Sequence, residues 1–205
     1  MIAIIDYGCG NLFSLSSSLK SLGIECKITG DKDEITAADK IILPGVGAFG
    51  DAAKKLRDCG MVELLRQQAA EGKPILGICL GMQLLFEKSF EYGAHAGLGL
   101  IKGFVGPLEG QVPKGLKIPH MGWNKLNLAK ADPIFKYIEP GDYMYFVHSF
   151  YARNCVENTL AFAEYGVAVP AIVRSGSVYG MQFHPEKSGA KGLALLKAFS
   201  ELQGV

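Results

Sequence analysis

Four consecutive apolar residues, Ile2-Ala3-Ile4-Ile5, are followed by leucines at 12, 15, 19 and 22, and this succession of apolar run and helical spacing recurs through the first half of the chain. An uninterrupted apolar run suits a strand buried on both faces. Strands that alternate with helices are joined by crossovers, which gives a mostly parallel sheet with helices on both sides. Further strands are expected at Glu25–Thr29, at Ile41–Leu43 and at 74–78, with Gly23 stopping the first helix. A helical stretch over 47–71 is expected to break at Gly60, and another helix is expected from Leu80 to Glu87.

Beyond Leu98 the pattern changes to glycines, prolines and short apolar runs. Strands over Tyr143–Val147, Leu160–Tyr165, Ala171–Ser175 and Val178–Phe183 predict an antiparallel extension of the sheet. A final helix carries Leu193, Leu196 and Phe199. The expectation for residues 1–205 is one α/β domain, a size within the ordinary range. With 21 basic against 20 acidic residues, net charge +1, neither nucleic acid nor an anionic membrane is expected as a partner. The five cysteines are widely spaced and show no C-x-x-C pair, so neither a disulfide framework nor a metal site is expected. The first apolar run ends at Asp6 and no later run is long enough for a bilayer, so a cytoplasmic location is expected.

Gly77-Ile78-Cys79-Leu80-Gly81 lies between an apolar strand and a helix. This is the thiol form of a nucleophile elbow, where the chain turns sharply and lifts the nucleophile above the C-terminal edge of the sheet. The flanking glycines remove Cβ atoms from the turn, and the following helix offers its positive end to an anionic sulfur. Cys9, Cys26, Cys59 and Cys155 lack such a context and read as ordinary structural cysteines.

A cysteine nucleophile needs a base and a group that orients the base. Gly180-Met181-Gln182-Phe183-His184-Pro185-Glu186 supplies both after an apolar strand. His184 can exchange the proton, and Glu186 can fix its tautomer. His95, His120 and His148 read as structural or contact residues. Pro44-Gly45-Val46-Gly47 follows the third strand. Its glycines allow a peptide N–H to turn inward, so Val46 N–H and Leu80 N–H form a candidate oxyanion hole. Gly45, Gly47 and Gly50 also fit a dinucleotide fingerprint, but after the third strand rather than the first, and that reading leaves Cys79, His184 and Glu186 without a role.

Together, the cysteine elbow, the glycine-rich loop and the His-Pro-Glu sequence resemble the class I (triad) glutamine amidotransferases. The stretches 6–11, 44–47, 77–86, 119–124, 145–151 and 182–188 narrow the resemblance to the glutaminase subunits of imidazole glycerol phosphate synthase, over nearly the whole chain. The resemblance implies a flavodoxin-like fold, a Cys79–His184–Glu186 triad, no cofactor, and glutamine as substrate. It implies glutamine contacts from Gly47, Gln83, Glu91, Ser149 and Phe150. It also implies a heterodimer with a (β/α)₈-barrel cyclase that receives the ammonia, with Met121, Trp123 and Lys187 on the facing surface. Val46 stands where some related loops are all glycine, so the loop is expected to rest inactive until the partner loads its substrate. A stand-alone γ-glutamyl cysteine hydrolase, a non-catalytic module on the same fold, and a glutaminase serving another amination pathway are the alternatives.

Overall fold

The computed structural model describes residues 1–203. Strands β1 (Ile2–Ile5), β2 (Cys26–Thr29), β3 (Lys40–Leu43) and β4 (Ile75–Ile78) alternate with helices α1 (Leu12–Ser21), α2 (Lys32–Ala37), α3 (Phe49–Asp58) and α4 (Met61–Ala70). Gly60 adopts φ +68° between α3 and α4, a left-handed conformation that ends one helix and starts the next. Asp31 caps α2 by accepting the Asp33 and Glu34 N–H groups, an arrangement worth about 1 kcal/mol.

The sheet order explains why the apolar runs have no polar face. Parallel pairing runs β2-β1-β3-β4 and continues to a late strand, β14 (Val178–Met181). Ala3, Ile5, Ile41 and Leu43 point to one side, into a core completed by Ile35 of α2, Phe49 and Leu56 of α3, and Leu65 of α4. Ile2, Ile4 and Ile42 point to the other, into a core shared with Leu15 and Leu19 of α1 and with Leu195, Leu196 and Phe199 of α6 (Gly189–Glu201). β1, β4 and Ile41–Leu43 of β3 bury alternate residues on opposite faces and carry no polar side chain, whereas the edge strand β2 exposes Lys27 and Ile28.

The antiparallel extension joins β14 to β13 (Ala168–Ser175), then β12 (Thr159–Glu164), then β9 (Asn127–Leu128). The helix expected over 80–87 is shorter: α5 spans Leu80–Leu84, and Phe86–Ser89 is a strand, β5. Its partners come from distant sequence. It pairs with β6 (His95–Ala96) and β7 (Ile101–Pro107), and β11 (Phe150–Arg153) completes this four-stranded sheet. β8 (His120–Lys125) and β10 (Tyr143–His148) form a separate antiparallel ribbon. The strand expected over Tyr143–Val147 as part of the main sheet forms within β10 and so belongs to this ribbon.

Candidate functional site

The C-terminal ends of β3, β4 and β14 lie side by side, and the three sequence features singled out above follow those three ends. Cys79 comes directly after β4 with φ +54° and ψ −112°, a strained backbone for a residue with a Cβ. Its N–H donates to the Met181 carbonyl at 2.7 Å, which ties the elbow to the end of β14. A Cβ on Gly77 would lie 2.6 Å from the Gly81 carbonyl oxygen, and one on Gly81 would collide with the Leu43 carbonyl. Both flanking glycines are therefore dictated by close approach of α5 to the sheet. Leu80, the first residue of α5, has no helical carbonyl four residues back to receive its N–H.

His184 is 4% exposed, and its Nδ1 lies 2.9 Å from Glu186 Oε1. With Glu186 ionised, Nδ1 carries the proton and Nε2 is left for the sulfur of Cys79. Burial opposes charge on this imidazole, but hydrogen bonding to Cys79 and to Glu186 outweighs it and pushes the pKa up to about 9. Asn11 Nδ2 approaches Glu186 Oε1 at 3.5 Å, while Glu186 Oε2 is buried without a partner among the described residues.

Cys79 and His184 open onto a cavity of about 340 Å³. Val46, Gly47 and Leu80 also line it, as do Gln83, Glu91, Ser149 and Phe150. The loop carrying Val46 is braced from behind: Tyr7 Oη donates to the Pro44 carbonyl at 2.9 Å, and a Cβ on Gly45 would lie 2.7 Å from Gly81 N. Gly47 has φ +95° and Val46 is 45% exposed. The formal dinucleotide fingerprint is thus a loop turned toward Cys79.

Gln83 donates through Nε2 to the Phe150 carbonyl at 3.0 Å and to Gln182 Oε1 at 3.1 Å. Both of its N–H groups are thereby committed, and Oε1 is the atom it can offer a cationic ligand. Glu91 accepts the Phe49 N–H at 2.7 Å, at the start of α3. Burial raises the Glu91 pKa, against the Phe49 hydrogen bond. A buried carboxylate with one oxygen committed is suited to an ammonium group.

Lys187 is exposed and lines the same cavity. Met121 and Trp123 lie on β8, 59% and 52% exposed. Trp123 rests edge-on against Tyr145 of β10, with ring centroids 6.0 Å apart. Among the described residues, no three His, Cys, Asp or Glu side chains group as a metal site, and no helix is long and apolar enough to cross a membrane.

Sequence reasoning missed three participants. Tyr92 lines the cavity with φ +52° and packs edge-on against Phe150. His148 also lines it, its Nδ1 2.9 Å from the Phe150 carbonyl and its Nε2 3.0 Å from His120 Nδ1. Burial, with His120 beside it, lowers the His148 pKa to about 3, which fits a neutral ring donating from Nδ1. Gln182 is fully buried, with Nε2 3.9 Å from Cys79 Sγ. Its position two residues before His184 was a signal, but a glutamine there says nothing of its partners until β4 and β14 are known to be neighbours.

Residues 3–201 match the family model for class-I glutamine amidotransferases. The chain is 52% identical over 203 residues to the imidazole glycerol phosphate synthase subunit HisH of Caldanaerobacter subterraneus subsp. tengcongensis, covering 98% of each chain. It is 50% identical to the subunit of the same name from Oceanobacillus iheyensis, covering 98% of this chain and 99% of that one. For the Bacillus subtilis subunit of that name the identity is 47%, over 98% of this chain and 96% of the relative. In fold, the chain resembles a glutamine amidotransferase crystal structure with a TM-score of 0.76 at 23% identity, covering 98% of both chains. It also resembles the PurLQS structure from Thermotoga maritima, with a TM-score of 0.72 at 22% identity, over 97% of this chain and 96% of that one.

Proposed function

The chain belongs to the class-I glutamine amidotransferases, among the glutaminase subunits of imidazole glycerol phosphate synthase, and on that premise we propose that Cys79, His184 and Glu186 hydrolyse glutamine to supply ammonia to a cyclase partner. The observation that carries this reading is a strained cysteine elbow and a buried His184, held by Glu186 at 2.9 Å, with Cys79 and His184 lining one cavity.

The Cys79 thiolate attacks the side-chain amide carbon of glutamine, and the carbonyl π pair moves onto oxygen. The N–H groups of Leu80 and Val46 receive that oxyanion. As the tetrahedral adduct collapses, the C–N bond breaks and the departing nitrogen takes a proton from His184 Nε2, leaving as ammonia. A γ-glutamyl thioester remains on Cys79. Water then gives a proton to His184 and attacks the thioester, and the C–S bond breaks to release glutamate. Glu186 keeps the imidazole in one tautomer and stabilises its protonated form. The proton balance closes within the site, so the steps call for no cofactor.

Gln83 Oε1 and the Glu91 carboxylate suit the ammonium group of the substrate, and the backbone of Gly47, Ser149 and Phe150 suits its carboxylate end. Met121, Trp123 and Lys187 form the surface that meets a (β/α)₈-barrel cyclase. That partner uses the ammonia to make imidazole glycerol phosphate and an aminoimidazole carboxamide ribotide, a step of histidine biosynthesis. Val46, half exposed on a loop between two glycines, is the peptide that turns when the partner is loaded.

Glutamine hydrolysis by the purified chain, alone and with the cyclase subunit and its ribotide ligand, tests the reading. The expected result is weak activity alone, a steep rise in the ternary mixture, and none with Cys79→Ala. Full activity from Cys79→Ala would remove the nucleophile assignment. A high rate indifferent to the cyclase would instead favour a stand-alone hydrolase.

A further inference from the structure

The cavity contacts account for Cys79, His184 and Glu186 but leave unexplained a line of buried amides behind them. Phe150 O accepts from Gln83 Nε2, Gln83 Nε2 also donates to Gln182 Oε1, and Gln182 Nε2 faces Cys79 Sγ at 3.9 Å. Gln83 and Gln182 are 4% and 0% exposed. The direction of this line follows from chemistry rather than from how an amide is drawn. A backbone carbonyl only accepts, so the Gln83 atom facing Phe150 O must be the NH₂ group. That same nitrogen faces Gln182, so the Gln182 atom opposite it must be oxygen. The remaining end of the Gln182 amide is then NH₂, and it points at sulfur.

We propose that Gln182 is a positioning residue for the nucleophile, donating an amide N–H to the Cys79 sulfur in a direction fixed by the Phe150 carbonyl. The inference rests on the glutaminase reading above and adds a residue to it. Cys79 sits on a strained elbow whose backbone fixes Cβ but not the sulfur rotamer. A donor to the sulfur selects one of its rotamers and holds it there beside the cavity. Gln182 is itself held by its N–H to the Ala171 carbonyl at 2.9 Å and by Gln83. The line also joins two jobs: Gln83, which offers Oε1 to substrate, uses its other end to orient Gln182.

Gln182→Glu separates these jobs. A carboxylate still accepts from Gln83 but has no N–H for sulfur, and the neutral Gln182→Met, run beside it, separates loss of the donor from repulsion between carboxylate and sulfur. The readout is iodoacetamide labelling of each cysteine, followed by peptide mass spectrometry on the purified chain. Without that donor the sulfur is no longer held in one rotamer toward the reagent, and Cys79 labelling is expected to slow by roughly three- to tenfold. Exposed Cys59 serves as the rate reference, and buried Cys155 reports unfolding. In complex with the cyclase, kcat for glutamine should fall about tenfold with KM within about twofold, since Gln83 keeps its partner. A merely structural role would instead expose Cys155 or move KM and kcat together.

Cys79 labelling at the wild-type rate with Cys155 protected would overturn the proposal. Should the buried glutamate unfold the chain, Gln182→Met, neutral and of similar length, gives the same labelling test. Cys79→Ala in the same complex separates the two levels. If that variant still hydrolyses glutamine, the glutaminase reading fails. If it is inactive while Gln182 variants label normally, only the role of Gln182 fails.

Discussion

The Tyr145 carbonyl accepts the backbone N–H of His184 at 3.0 Å, and Tyr145 N–H donates to Ser188 Oγ at the same distance. Ser188 Oγ in turn donates to the His184 carbonyl at 2.7 Å. The β8–β10 ribbon, which lies outside the main sheet, is thus clamped onto the turn that carries His184 and Glu186.

Ser188→Ala should loosen this clamp. Ser188 is 2% exposed, so two polar groups lose a partner with little access to water. The expected cost is about 1–3 kcal/mol of stability, read as a fall in denaturation midpoint, together with a lower kcat because His184 is less firmly placed. An unchanged midpoint would show that the clamp carries no weight.

Trp123→Ala tests whether the outer face of that ribbon is the docking surface. Exposed aromatics of this kind are the usual anchors of interfaces, and their truncation typically costs 2 kcal/mol or more, roughly thirtyfold in Kd. Titration of the variant with the cyclase should show that loss. Trp123 is the chain's single tryptophan, so its emission should also shift to the blue on docking, once the partner's own emission is subtracted. Wild-type affinity in the variant would place the interface elsewhere.

The raised pKa of His184 has a signed consequence for stability. Its folded value of about 9 exceeds its ordinary 6.5, so the native state holds this proton more tightly than the unfolded chain. The stabilisation is fully present below pH 6.5 and is lost as pH rises through 9. A shift of this size is worth on the order of 3 kcal/mol. Glu186→Gln removes one of the two raising partners. Thermal melts of wild type and variant should therefore differ most near pH 6 and converge as pH rises through 9. A gap independent of pH would contradict the pairing.

The features legible in the sequence are those whose cause is local. The elbow glycines are required by contacts within a few residues or across adjacent strands, and the two-sided burial of Ile2–Ile5 leaves its mark as an unbroken apolar run. A mostly parallel sheet with an antiparallel extension is likewise the expected architecture, though Val178–Met181, expected in the extension, pairs parallel with β4 on one side and antiparallel with β13 on the other. Phe86–Ser89 was misread because Leu84-Leu85-Phe86 continues the apolar spacing of α5, while its strand pairing comes from Ile101–Pro107. The strand expected over Tyr143–Val147 forms, but in a different sheet, since nothing in its own residues names His120–Lys125 as its partner. Gln182 and His148 escaped for a related reason. A buried glutamine or histidine has meaning only through the donors and acceptors around it: Gln83 and Cys79 lie 99 and 103 residues from Gln182, and His148 meets His120 only across the ribbon.

Glu91→Gln addresses the substrate's ammonium group. The carboxylate has one oxygen on Phe49 N–H, and a glutamine can keep that acceptor while losing the charge. Loss of a charge-assisted contact should raise KM for glutamine by about ten- to a hundredfold, with a smaller effect on kcat. Acid should mimic the substitution. Burial raises the Glu91 pKa above the ordinary carboxylate value, so protonation removes the charge at a higher pH than for an exposed glutamate. Wild-type KM should climb as pH falls into that range, while the Glu91→Gln KM, already without the charge, should stay flat. Parallel KM profiles for the two proteins would assign the ammonium contact to another group, with Gln83 Oε1 next in line.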